Sequence, residues 1–242
     1  MKKFVLYTAT LICSISVCFV SLNAQEITEF SLTTEKMVSP TSNEEARMNY
    51  NKGTELLRNN QLDEAEKYLL EAIELDPNFC DAMDHLGLLY RRQKRYDDAI
   101  EIYTRSISTN SENVVSYQNL AVVYRLQKRY EDARQMFLKI VDLDKDNPEG
   151  YYGIGQLYYD VGMYDDCITF MQIALQKYYE QESLYIYDAS VYIAHAYYAK
   201  EEYQEALKFF KFAAHYYQTD KQLLQIITEL ENMTNFENAN KD

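Results

Sequence analysis

Five segments of the chain repeat one pattern of apolar and polar positions: DEAEKYLLEAIELDP (63–77), DDAIEIYTRSISTNS (97–111), EDARQMFLKIVDLDK (131–145), DDCITFMQIALQKYY (165–179) and QEALKFFKFAAHYYQ (204–218). Each reads as an amphipathic helix whose first turn carries acids that complement its dipole, as Asp97-Asp98 and Glu131-Asp132 do. A second helix recurs upstream of each, in KGTELL (52–57), LGLLY (86–90), LAVVY (120–124), IGQLYY (154–159) and IAHAYY (193–198). The small residue near the start of the first pattern falls at Ala65, Ala99, Ala133, Cys167 and Ala206, with spacings of 34, 34, 34 and then 39. A fixed period of this length predicts stacked helix pairs, each too small to bury its own apolar face and completed by its neighbours.

On these residues the chain resembles the tetratricopeptide repeat family. Repeats counted over 46–79, 80–113, 114–147, 148–181 and 187–220 align the family's marks. The small eighth position is Gly53, Gly87, Ala121, Gly155 and Ala194, and the aromatic eleventh is Tyr90, Tyr124, Tyr158 and Tyr197, with Leu56 in the first repeat. The twenty-fourth is Leu69, Tyr103, Phe137, Met171 and Phe210. The small twenty-seventh is Ala72, Ser106, Ala174 and Ala213, from which Ile140 departs. The resemblance implies an all-α, right-handed solenoid of five helical hairpins over 44–235, closed by a capping helix at 221–233 and a polar tail at 236–242.

Composition agrees. Six glycines and three prolines are too few for a turn-rich β fold. A net charge of −14 excludes the phosphate neutralisation on which nonspecific nucleic-acid binding rests. The 24 tyrosines, with no tryptophan, are partly absorbed by the repeat, since Tyr90, Tyr103, Tyr117, Tyr124, Tyr151, Tyr158 and Tyr197 occupy core positions. Tyr96, Tyr130, Tyr164 and Tyr203 recur in the turn between the two helices.

The N-terminus reads as targeting. Lys2 and Lys3 precede an uncharged stretch, Phe4–Gln25, with Ala24 at a cleavage position. Residues 1–24 are thus expected to be a secretory signal peptide; an uncleaved anchor facing outward is the alternative. Either places the rest outside the cytoplasm, periplasmic or secreted, with no membrane contact once the signal is removed. Residues 25–43 read as a flexible tether, ending in a capping box with Ser42 as N-cap and Glu45 reaching back. Only Cys80 and Cys167 remain beyond the signal, too few for a disulfide scaffold.

No catalytic, metal or cofactor constellation is expected. His85, His195 and His215 lack ligand spacing, and Gly53, Gly87 and Gly155 lie inside helices, where they serve packing. The family instead uses the inward face of each first helix to bind proteins or peptides. Carried onto this chain, the expected groove comprises Tyr50, Asp84, Arg91, Gln118, Arg125, Tyr152, Gln156, Tyr159, His195 and Tyr198. Tyr152, Tyr159 and Tyr198 near Arg125 have the composition of a binding hot spot. The family's clamp for a peptide carboxylate is absent, since Tyr50 and Thr54 replace its opening pair. The alternative is a structural or assembly subunit of an envelope complex acting through its edges or end cap.

Two features stand apart. Arg58, Arg91, Arg92, Lys94, Arg95, Arg125, Lys128 and Arg129 gather near the first-helix ends of three repeats, as a basic edge or as ordinary helix-end cations. The longer last spacing adds residues near Gln181–Tyr187. The apolar Leu184, Tyr185 and Ile186 predict that the fifth repeat's first helix begins early, near Leu184, with Ser183 as N-cap. A longer preceding helix, running through Tyr178 toward 182, is the alternative.

Overall fold

A computed structural model describes residues 41–217 and 220–239, with side chains to 235. The expected signal segment, and the expected tether up to residue 40, lie outside the described residues, as does the end of the expected polar tail. Among the described residues there are eleven helices and no strand. They are α1 (Glu44–Arg58), α2 (Leu62–Leu75), α3 (Cys80–Arg92), α4 (Tyr96–Thr109), α5 (Val114–Leu126) and α6 (Tyr130–Leu143). They continue as α7 (Pro148–Asp160), α8 (Tyr164–Glu180), α9 (Ile186–Ala199), α10 (Tyr203–Tyr216) and α11 (Lys221–Ala239). The first ten pair as five hairpins. Each first helix also meets the first helices of adjoining hairpins, so α1, α3, α5, α7 and α9 form the inner, concave row. No helix among the described residues is long and apolar enough to cross a membrane.

The turn inside each hairpin is the same device five times. One residue past the cap of each first helix the chain enters the left-handed region, at Asn60, Lys94, Lys128, Gly162 and Glu201. The next amide then reaches back to the helix, as Arg95 N does to Tyr90 O at 2.9 Å and Met163 N to Tyr158 O at 2.9 Å. This paired bonding satisfies the orphan carbonyls of the helix end. Only Gly162 makes the left-handed step without a Cβ cost; the other four turns are held by the packing on either side. The tyrosines expected in this turn instead open the second helix, as Tyr96, Tyr130, Tyr164 and Tyr203.

Asn43, not Ser42, caps α1. Its Oδ1 accepts from Glu45 N and Ala46 N at 3.1 Å each, and its Nδ2 donates to Leu75 O at 3.0 Å, tying the helix start to the end of α2. The last helix extends to Ala239, past the expected end at 233, and buries Leu223, Ile227 and Leu230.

Small eighth positions bring the two helices of a hairpin close. A Cβ on Gly87 would stand 2.5 Å from the Tyr103 ring, and one on Gly53 2.8 Å from Leu69. Ile140, the departure at the twenty-seventh position, is fully buried with Phe137, Ile154 and Leu157. Glycines in α7 make room for the neighbours of Ile140 on α6: a Cβ at Gly153 would lie 2.2 Å from Phe137, and one at Gly150 2.6 Å from Val141.

The extra residues before the fifth repeat lengthen α8 to 17 residues, against 14 in α2, α4, α6 and α10. The early start near Leu184 is not formed: α9 begins at Ile186, and Leu184 stands 80% exposed. Two signals normally stop a second helix here. Asp76, Asn110 and Asp144 each accept through Oδ1 the amide two residues on, folding the chain out of the helix. Three residues later Asn113, Asn147 and Asp220 cap the following helix. The first hairpin has only the first signal and the fifth only the second. The fourth has Tyr178 and Gln181 in these places and neither signal, so α8 runs on until Glu182 takes the left-handed step.

Candidate functional site

The inner row carries the ten residues expected to line the groove, and the structure divides them. Tyr50, Gln118, Arg125, Tyr159 and Tyr198 are half-buried and keep surface on the concave side. Asp84, Arg91, Tyr152, Gln156 and His195 are buried, which corrects their expected role as contact residues. Adjacent first helices lie so close that Asp84, Arg91, Tyr152 and Gln156 span the seam between repeats, whereas His195 packs on Phe210 of its own hairpin.

Three networks show how. Asp84 of α3 reaches the next repeat, accepting from Asn113 Nδ2 at 2.8 Å and from Ser116 Oγ, which also lies 2.8 Å from Ser106 Oγ. Burial pushes its carboxyl up to about 6 against the pull of these donors. Arg91 donates through Nη1 to Asn119 Oδ1 at 3.3 Å. Arg125 of α5 forks onto Asp160 of α7, with Nε at 2.5 Å and Nη2 at 3.0 Å from the carboxylate. Its Nη1 donates to Gln156 Oε1 at 3.2 Å, and Gln156 Nε2 donates to the Tyr192 hydroxyl of α9 at 3.1 Å. One chain of polar contacts thereby crosses three repeats. His195 lies edge-on to Phe210 at 5.0 Å, and burial holds its imidazole down at about 4.

Tyrosine dominates the far half of the row. Tyr192 stands edge-on to Tyr152 at 5.7 Å and to Tyr159 at 5.6 Å. Tyr159 is further braced by Tyr164 at 5.7 Å, and Tyr198 by Tyr203 at 5.4 Å. The half-buried rings are therefore held in place before anything binds. At the near end Tyr50 packs on Phe79 at 4.9 Å, with its hydroxyl 3.4 Å from His85 Nδ1. Tyr192, buried at the centre of this set, was not among the expected residues. It sits at the sixth repeat position, where the other repeats have Asn51, His85, Asn119 and Gly153, so no recurring residue type marks it.

The basic edge is largely committed to internal contacts. Arg95 pairs with Glu66 and Asp98 at 3.0 and 2.6 Å and lies over the Tyr90 ring. Arg129 pairs with Asp132 at 2.7 Å and covers Tyr124, and Arg92 donates to Leu57 O at 3.1 Å. No three His, Cys, Asp or Glu side chains among the described residues are grouped to hold a metal ion.

Repeated hairpins, a braced inner row and seams closed by side chains define a helical-repeat protein-interaction module. Family models described as tetratricopeptide repeat match residues 46–79 and 79–146, so this stretch of the chain consists of tetratricopeptide repeats. Solved structures carry the likeness further along the chain. A solved structure of PilF from Pseudomonas aeruginosa is 19% identical over 81% of this chain and 86% of its own, with a TM-score of 0.67. A tetratricopeptide repeat protein from Parabacteroides merdae is 20% identical over 79% and 74%, with a TM-score of 0.63. MamA from Desulfovibrio magneticus is 17% identical over 74% and 98%, with a TM-score of 0.60. At these identities the likeness is one of fold.

Proposed function

We propose that this chain works outside the cytoplasm as an adaptor, holding a peptide or helix of a protein partner along its concave row. The observation that carries this reading is the pair Tyr159 and Tyr198, each half-buried and each braced by a neighbouring tyrosine. Large rings fixed before binding lose little entropy on contact, which is why such residues dominate interface energetics. Gln118 and the paired Arg125 supply polar contacts beside them. Export rests on Lys2, Lys3 and the uncharged stretch that follows.

Burial decides which variants test the groove. Tyr152 is 7% exposed, so its removal reads out packing. Tyr159→Ala combined with Tyr198→Ala should weaken partner capture by about 2 kcal/mol or more, with helical content intact. Capture equal to the parent's would place the partner elsewhere. A second reading, assembly through the end cap, is favoured by the exposed Phe212 and Leu224 on the last two helices. Oligomers that grow with concentration and vanish in Leu224→Lys would support it over the groove.

A further inference from the structure

The long α8 and the link after it build a cleft of about 280 Å³ at the groove's rim, against the α6–α7 link. Asn147, Glu149, Tyr178, Ser183 and Tyr185 line it. Tyr178 is the wall: its ring is 2% exposed, stands 5.4 Å from Tyr185 and 6.0 Å from Tyr152, and its hydroxyl donates to Glu149 Oε1 at 2.6 Å. Glu149 also accepts from Gln118 Nε2 at 2.7 Å, so its carboxylate is held by neutral donors. Asp188, in the first turn of α9, is half-buried, and among the described residues no hydrogen bond or ion pair reaches its carboxylate.

We propose that this cleft receives the side chain of a lysine or arginine from the bound partner, with Glu149 in its lining as the contacting counter-charge, Tyr178 and Tyr185 as aromatic walls, and Asp188, outside the lining on α9, adding negative field. The inference rests on the concave row being the partner surface. A carboxylate and tyrosine rings lining one cleft suit a cation, which gains from both the charge and the ring quadrupole once water is displaced. The local field agrees. Burial and then the charge of Glu149 push Asp188 up to about 6, and burial with the charges of Glu149 and Asp188 pushes Tyr185 up to about 12. An incoming ammonium or guanidinium relieves this repulsion, and a chain of net charge −14 draws basic partners toward it.

The test needs no partner. The chain is titrated with N-acetyl-lysine methylamide and N-acetyl-arginine methylamide, with the norleucine amide as uncharged control, while the ring signals of Tyr178 and Tyr185 are followed by NMR. Saturable, millimolar shifts from at least one cationic amide and none from norleucine are expected. Asp188→Asn and Tyr185→Leu, each confirmed as folded by circular dichroism, should each weaken binding about tenfold. No ring shifts with either cation, equal shifts with norleucine, or parent-like binding in Asp188→Asn would overturn the proposal. Because these probes bypass the partner, their failure removes the cleft alone. Failure of the Tyr159/Tyr198 variants to impair capture removes the groove.

Discussion

Asp84 is the side chain whose environment departs furthest from its position in the pattern. It stands at an inward place on α3, yet it is 2% exposed and ionises only near 6, because the seam between repeats excludes water from it. A carboxyl raised from 3.8 in the unfolded chain to about 6 in the fold stabilises fully below the lower value. That contribution is lost as pH rises through the upper one. Asp84→Asn removes it, so the variant should gain on the parent between pH 4 and pH 7, by an amount on the order of 1–3 kcal/mol. His195, held down at about 4, works in the opposite sense, losing stability as pH falls below its ordinary range. Urea unfolding of both proteins at the two pH values isolates the Asp84 share, since every other group cancels in the difference. A constant difference would mean that Asp84 is not burdened by burial. Gly87 makes a simpler case. With the Tyr103 ring 2.5 Å from its absent Cβ and no room to retreat, Gly87→Ala should cost about 1–3 kcal/mol in the same assay.

Among the elements, α8 shows how much local chemistry was legible. Its extension follows from Tyr178 and Gln181 standing where other hairpins have an Asx turn or an N-cap, and both substitutions are visible in the chain. What misdirects a reading of the sequence is the run Leu184-Tyr185-Ile186, whose apolar character argues for an early helix. Only Ile186 is buried in the structure; Leu184 projects outward. The gain comes instead from Tyr178, whose ring and hydroxyl find partners in α7 only if α8 continues past it. Amide exchange distinguishes the two. Protection should persist through Glu182 and Ser183, whose amides bond to Tyr179 O and Tyr178 O at 3.1 and 2.9 Å. It should fail at Leu184 and return by Ala189, bonded to Tyr185 O at 3.1 Å. Protection beginning at Leu184 and absent at Ser183 would restore the early start.

At the scale of the whole array, each hairpin is completed by its neighbour, and α11 completes the last one. Leu223, Ile227 and Leu230 are buried there, with Lys211 and Glu231 paired at 2.7 Å beside them. Leu230→Ala should therefore cost about 2–5 kcal/mol locally, and the loss should appear as early melting of the C-terminal repeats. Exchange protection lowered uniformly from α1 to α10 would instead mark one cooperative unit. The period, the helix pairs and the packing of small against large positions were determined by the sequence alone, because each rests on contacts within a repeat or with the next copy. Which inward residues remain open to a partner was decided only by the tertiary structure. Tyr152 and Tyr159 share a helix, a residue type and an inward position. Their difference is made by Tyr178 and Tyr192, which arrive from α8 and α9 and bury one ring while bracing the other. Burial of a side chain is set by what packs over it, and those neighbours stand tens of residues away along the chain.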